Sequence, residues 1–182
     1  MKNSIFLLLL LAFTACSNDK NDKAFTHVIS NEMFSIADMS EGAVYTVYYC
    51  WTDWCPPCLS SMDSTLRKTK AVTDSIGIPI SYHALLYAPK VKERSEKLMQ
   101  NAYANGIEVY YKSASSPLTK KMDINSDFSG FEGFESEFRV PRIVLIDQDG
   151  NLLTDDFRIN YKLKYFLESL ETQFPEYFEG NE

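Results

Sequence analysis

Two cysteines three positions apart stand in the run Trp54-Cys55-Pro56-Pro57-Cys58. At the start of a helix that spacing puts the sulfurs one turn apart, close enough to form a disulfide. Only a thiolate attacks a disulfide, and a free cysteine has a pKa of about 8.5. The unpaired N–H groups and the dipole at a helix N-terminus stabilise the negative charge, which suits Cys55 as the attacking sulfur. Pro56 and Pro57 are tolerated in the first turn because their missing N–H had no helical partner. They also stiffen the link between the sulfurs. The chemistry that follows is a two-step exchange. Cys55 attacks a disulfide and forms a mixed disulfide; Cys58 then attacks Cys55 and releases the reduced product. Cys58, further into the helix, is expected to be the buried sulfur.

The same pair could instead be a structural disulfide or half of a zinc site. Zinc commonly takes four ligands, often as two such pairs. The chain has no second CxxC, and His27 and His83 stand apart from it. No metal and no organic cofactor are therefore expected. Other residues carry a plain reading beside a sharper one. Cys50 reads as a buried small hydrophobe at a strand end, or as a third redox thiol. His83 reads as a strand histidine with a satisfied hydrogen bond, or as a proton shuttle. Arg142 would lower the pKa of Cys55 if it pointed there. Asp53 is expected on the exposed rim with its charge solvated. Trp54 would line the substrate surface, whereas Trp51 suits the core equally well.

The surrounding elements must place this pair. Residues 43–50 (AVYTVYYC) read as a strand buried on both faces, and a helix begins at Cys55 with Leu59, Met62 and Leu66 on one side. Gly77 leads to a second strand at 78–84. Residues 91–103 read as a helix, 107–111 as a third strand and 113–133 as mostly loop. Pro141 precedes a strand at 143–146, and Asp149-Gly150 forms a tight turn into 151–154. Residues 161–170 close the chain as a helix. Phe128, Phe131, Phe134 and Phe138 recur at helical spacing, which predicts the core side of a short helix, or alternatively a substrate-facing apolar patch. Alternating strands and helices followed by a hairpin define an α/β layered fold, with parallel central strands and an antiparallel pair at one side.

The N-terminus reads as a targeting segment. Lys2, an uncharged apolar run over 5–13 and the small residues Thr14 and Ala15 describe a secretory signal. The run is about half the ~20 residues that a membrane-spanning helix needs. Phe13-Thr14-Ala15-Cys16 resembles the lipobox of bacterial lipoproteins, which implies removal of residues 1–15 and lipidation of Cys16. An ordinary signal peptide with a nearby cysteine is the alternative. Residues 16–24, with the polar run SNDKNDK, are expected to be a flexible tether carrying the lipidated cysteine, and 25–182 a single domain. Losing Lys2 with the signal takes the formal charge from −7 to −8. An acidic chain with no basic cluster is poorly suited to nucleic acid, whose binding rests on Lys and Arg neutralising phosphates. With Cys16 assigned to lipid, Cys50, Cys55 and Cys58 remain in an oxidising compartment, an odd number, so at least one thiol is unpaired or pairs between molecules.

WCPPC after an apolar strand, with Val140-Pro141 and then IVLIDQDG, resembles the TlpA/ResA-like branch of the thioredoxin family. The likeness runs from about residue 43 to the last helix. It implies a thioredoxin fold: a central mixed sheet flanked by helices, with an extra helix–strand insertion, here 91–111, before a cis-proline. It implies that Pro141 is cis and shields the sulfurs, while the backbone of Val140 pairs with substrate. The activity implied is that of an extracytoplasmic thiol–disulfide oxidoreductase in the cell envelope, most simply a protein disulfide reductase. Its partners would be protein thiols or disulfides, with a membrane thiol carrier as electron donor. Three positions depart from the family pattern. Arg142 stands where threonine is common, Tyr49 stands where thioredoxin has a buried acid, and residues 78–84 contain His83 but no acid. They leave the proton-transfer partner of Cys58 unassigned. Two rivals are a peroxiredoxin-like peroxide reductase, suggested by Thr52 three residues before Cys55, and a binding lipoprotein whose CxxC is a permanent disulfide.

Overall fold

In the computed structural model, which describes residues 25–114, 117–135, 140–154 and 163–178, the strands form one mixed sheet. In chain order the elements are β1 (Phe25–His27), β2 (Met33–Phe34), α1 (Ile36–Ser40), β3 (Tyr45–Trp51) and α2 (Pro56–Ser61). A π-helical segment (Met62–Leu66) joins α2 to α3 (Arg67–Ile76). Then come β4 (Ile80–Ala88), α4 (Glu93–Tyr103), β5 (Glu108–Ser113), α5 (Pro117–Phe128), β6 (Arg142–Asp147), β7 (Leu152–Thr154), α6 (Leu163–Gln173) and a 3-10 turn (Pro175–Tyr177).

The sheet order is β2-β1-β5-β4-β3-β6-β7. Strands β3, β4 and β5 run parallel, and β6 and β7 add the antiparallel side that the Asp149-Gly150 turn predicts. Gly150 takes a φ of 80°, a conformation glycine adopts without steric cost. The opposite edge holds a second antiparallel pair, β1 with β2, which no strand signal in the sequence marked. Both strands are very short, too short for an alternation to show.

Side-chain alternation on β3 divides the core in two. Val47, Tyr49 and Trp51 face one side, together with Ile143 and Leu145 of β6. Helices α2, α4 and α6 and the π segment cover that side through Leu59, Met62, Leu66, Met99, Ala102, Phe166 and Leu170, and both sulfurs lie within it. Tyr48 and Cys50 face the other side, with Leu85, Tyr87 and Val144, beneath α1 and α5. The helix–strand unit α4–β5 is the predicted insertion, and β5 pairs in parallel with β4.

Residues 113–133, expected to be mostly loop, contain the twelve-residue helix α5. Among its residues with described side chains, Ile124 and Phe128, four positions apart, reach the core. The apolar positions of the twelve residues form only a weak stripe at helical spacing, and the helix gains its stability from packing on the sheet. The phenylalanine series is also not one helix. Phe128 ends α5, while Phe131 and Phe134 come from the turns after it. Core packing holds nonetheless: Phe128 is fully buried, with its ring 5.8 Å from that of Phe131 and 5.6 Å from that of Phe134. Phe138 lies outside the described residues, as do residues 1–24, which include the signal segment, Cys16 and the tether. Among the described residues, no helix is long and apolar enough to cross a membrane.

Candidate active site

The apolar strand β3 ends beneath the helices, and the chain turns through 52–54 into α2. Cys55 caps that helix: its Sγ accepts a hydrogen bond from the Cys58 N–H at 3.2 Å. Pro56 and Pro57 open the helix and are exposed. Cys55 and Cys58 form a disulfide, with their Cα atoms 5.2 Å apart. Cys58 is fully buried, whereas Cys55 keeps 4% of its surface, so the sulfur on the solvent side is Cys55. The sequence predicts that order, with the helix itself covering the second cysteine.

The Val140–Pro141 bond is cis, and the Val140 carbonyl oxygen lies 3.6 Å from Cys55 Sγ. A disulfide sulfur has no proton to donate; in the reduced state the same carbonyl would accept a hydrogen bond from the Cys55 thiol. Residues far apart in sequence thus meet at one sulfur. Pro141 is buried, Val140 is half-buried, and Trp54 stands beside the pair with 47% of its surface exposed. Trp51 belongs to the core.

Several neighbouring residues sit differently from expectation. Asp53 is not on the rim: its side chain keeps 2% exposure and pairs with Lys92, whose Nζ is 2.5 Å from Oδ2. The pair ties the active-site turn to the start of α4. Nothing in sequence spacing links Asp53 to Lys92, because the contact exists only once β4 has returned the chain. Arg142 points away from Cys55. It lies opposite Cys50 in the β3–β6 register, packs over the Phe134 ring at 3.9 Å and donates to the Glu135 carbonyl at 2.6 Å. Tyr49 is buried on the sulfur side, and its hydroxyl reaches the Cys58 carbonyl at 2.8 Å and Ser61 Oγ at 2.6 Å. Ser61, which the sequence did not mark, also lies 2.8 Å from the Pro57 carbonyl.

His83 and Cys50 lie on the far side of the sheet. His83 Nε2 is 2.9 Å from Ser81 Oγ, and the ring sits between Tyr48 and Tyr110. Burial, assisted by His27, lowers its pKa to about 4. A neutral ring across the sheet does not serve the sulfurs as a proton shuttle; the plain reading holds for Nε2, bonded to Ser81, while the buried Nδ1 has no partner among the described residues. Burial pushes the Cys50 thiol far up, only partly offset by the Arg142 charge. Its reactive thiolate is suppressed. Among the described residues, no cluster of three or more His, Cys, Asp or Glu side chains could hold a metal ion.

No protein-family model and no curated protein matches the chain. Solved structures do. A thiol:disulfide interchange protein from Bacteroides sp. aligns with a TM-score of 0.54 at 15% identity, covering 86% of this chain and 90% of that one. The thioredoxin domain of a thiol-disulfide oxidoreductase from Bacteroides vulgatus aligns at 0.52 and 13% identity, over 77% and 87%. A secreted disulfide oxidoreductase from Mycobacterium tuberculosis aligns at 0.51 and 14% identity, over 85% and 98%. The chain therefore has the thioredoxin fold of these thiol–disulfide oxidoreductases, with a CxxC disulfide at the N-terminus of the helix after its central strand. At such identities the likeness establishes the fold, and the chemistry rests on the site.

Proposed function

We propose that this chain is an extracytoplasmic thiol–disulfide oxidoreductase, most simply a protein disulfide reductase tethered to the membrane through Cys16. The observation that carries the reading is the Cys55–Cys58 disulfide capping α2, with the less buried sulfur 3.6 Å from the Val140 carbonyl beside cis-Pro141. A structural disulfide needs neither a helix N-terminus nor an adjoining open backbone acceptor.

In the reducing direction, the Cys55 thiolate attacks one sulfur of a substrate disulfide. The substrate S–S bond breaks, and the leaving thiolate takes a proton. Cys58 gives up its proton and attacks Cys55, which releases the second substrate thiol and leaves the domain oxidised. A membrane dithiol carrier would return the two electrons and two protons. The capping N–H of Cys58 would stabilise Cys55 as the attacking thiolate, before the mixed disulfide forms. Val140 would offer its backbone to the substrate strand, and Trp54, Pro56 and Pro57 an apolar rim. The segment at 1–16 supports export, in keeping with the secreted protein among the structural neighbours.

The deciding experiment is the reduction potential of the Cys55–Cys58 pair. A value near that of thioredoxin, about −270 mV, supports a reductase, and one near that of DsbA, about −120 mV, makes the domain an oxidant. A disulfide that does not cycle reversibly in the folded protein overturns the reading in favour of a binding lipoprotein.

A further inference from the structure

Tyr49 occupies the central strand, between Ala84 of β4 and Ile143 of β6 in register, and is fully buried. Its hydroxyl does not stay within the sheet. It reaches the first turn of α2, 2.8 Å from the Cys58 carbonyl and 2.6 Å from Ser61 Oγ, while Ser61 Oγ lies 2.8 Å from the Pro57 carbonyl.

Counting protons narrows the arrangement. Tyr49 and Ser61 bring one hydroxyl proton each, and oxygens 2.6 Å apart must share one. Either Ser61 donates to Tyr49 and Tyr49 to the Cys58 carbonyl, or Tyr49 donates to Ser61 and Ser61 to the Pro57 carbonyl, with the Cys58 carbonyl also in reach at 3.5 Å. In both, a rigid strand holds the backbone of the turn that joins the two sulfurs. That turn needs holding, because the regular helix lasts only to Ser61 before the π segment begins. The Cys58 carbonyl also accepts the regular helical bond from the Met62 N–H, whereas the Met62 carbonyl, one turn on, accepts the wider bond from Arg67. Cys58 in turn controls Cys55 twice, through the disulfide and through its N–H on Cys55 Sγ.

We propose that Tyr49, acting with Ser61, is a positioning residue that holds the Cys58 turn in register with Cys55 and so sets how readily the disulfide closes. This rests on the oxidoreductase reading above. The Tyr49 hydroxyl bonds to the turn backbone and to Ser61. It acts on the effective concentration of one sulfur at the other, the quantity that governs ring closure of a dithiol. It also supplies a neutral donor at the position where the family resemblance anticipates a buried acid.

The test uses the full chain, with its thiol–disulfide equilibrium measured against a defined redox buffer. Wild type is measured first, then Tyr49→Phe, Ser61→Ala and Ser61→Thr. Tyr49→Phe, which removes one hydroxyl, is expected to weaken disulfide closure about tenfold, raising the potential by about 30 mV. Mixed disulfide with substrate should accumulate as Cys58 resolves it more slowly. Ser61→Ala should shift the potential the same way by less, and Ser61→Thr, which keeps the hydroxyl, should restore it. Potentials within twofold of wild type in closure constant for both Tyr49→Phe and Ser61→Ala overturn the inference, even if thermal stability falls. Should Tyr49→Phe not fold, Ser61→Ala decides alone. A wild-type disulfide that never cycles sinks the oxidoreductase reading and this inference together; a cycling wild type with unmoved variants sinks only this one.

Discussion

Cys50 and Cys55 stand five positions apart on one strand-to-helix connection, yet they belong to opposite sides of the sheet and to opposite chemistries. Cys50 is on β3, packed with Leu85, Tyr87 and Val144, and burial holds its thiol protonated. Cys55 has left the strand, caps a helix and retains a path to solvent. The far side spends its polar groups on structure: Lys112 Nζ pairs with Asp127 Oδ1 at 2.5 Å, and the Tyr87 hydroxyl donates to the same carboxylate at 3.0 Å, tying α5 to β4 and β5. The sulfur side turns its polar groups, Tyr49 and Ser61, toward the cysteine turn. The contrast teaches that a cysteine's reactivity comes from the element that carries it and the side of the sheet it faces.

The largest effect should follow from the sulfur side. Cys55→Ser is expected to reduce protein disulfide reduction to the uncatalysed rate, and Cys58→Ser to leave Cys55 trapped as a mixed disulfide, visible on a non-reducing gel. Equal trapping in the two variants would erase the distinction between attacking and resolving sulfur.

The far side should show itself in stability. The pKa of His83 is depressed in the fold from 6.5 to about 4 by burial. The unfolded chain therefore binds the proton first, and the contribution of His83 is complete above 6.5 and lost as pH falls through 4. It amounts to up to about 3 kcal/mol across that window. Asp127, raised by its own burial, works in the opposite sense, its contribution being lost as pH rises through its folded pKa. Urea midpoints at pH 7 and 4.5 should separate by less in His83→Gln than in wild type, with the reduction potential at pH 7 unmoved. An unchanged separation would mean that His83 is not the group being titrated.

The smallest effect is expected at Cys50. Cys50→Ala should cost about 1 kcal/mol and leave the potential as it was. In the reduced native protein, a thiol reagent should label Cys55 rapidly and Cys50 only on unfolding. Labelling of Cys50 at the rate of Cys55 would break the contrast between the two sides.

The parts legible in the sequence were those with short-range causes. Apolar runs of strand length marked β3 and β6, Asp149-Gly150 marked the hairpin, and WCPPC marked both the disulfide pair and its order of burial. The misses have one common cause. α5 has only a weak apolar stripe at helical spacing, Asp53 meets Lys92 once β4 has returned the chain, and Arg142 turns toward Phe134 and Cys50 because alternation along β6 puts it there. The sequence alone determined that two cysteines share a helix start, since a spacing of three positions needs nothing beyond one helical turn. Only the tertiary structure decided what stands against them, the Val140 carbonyl on Cys55 and the Tyr49 hydroxyl on the Cys58 turn. Those contacts depend on sheet register and side-chain facing, which are settled by burying both sides of the sheet at once.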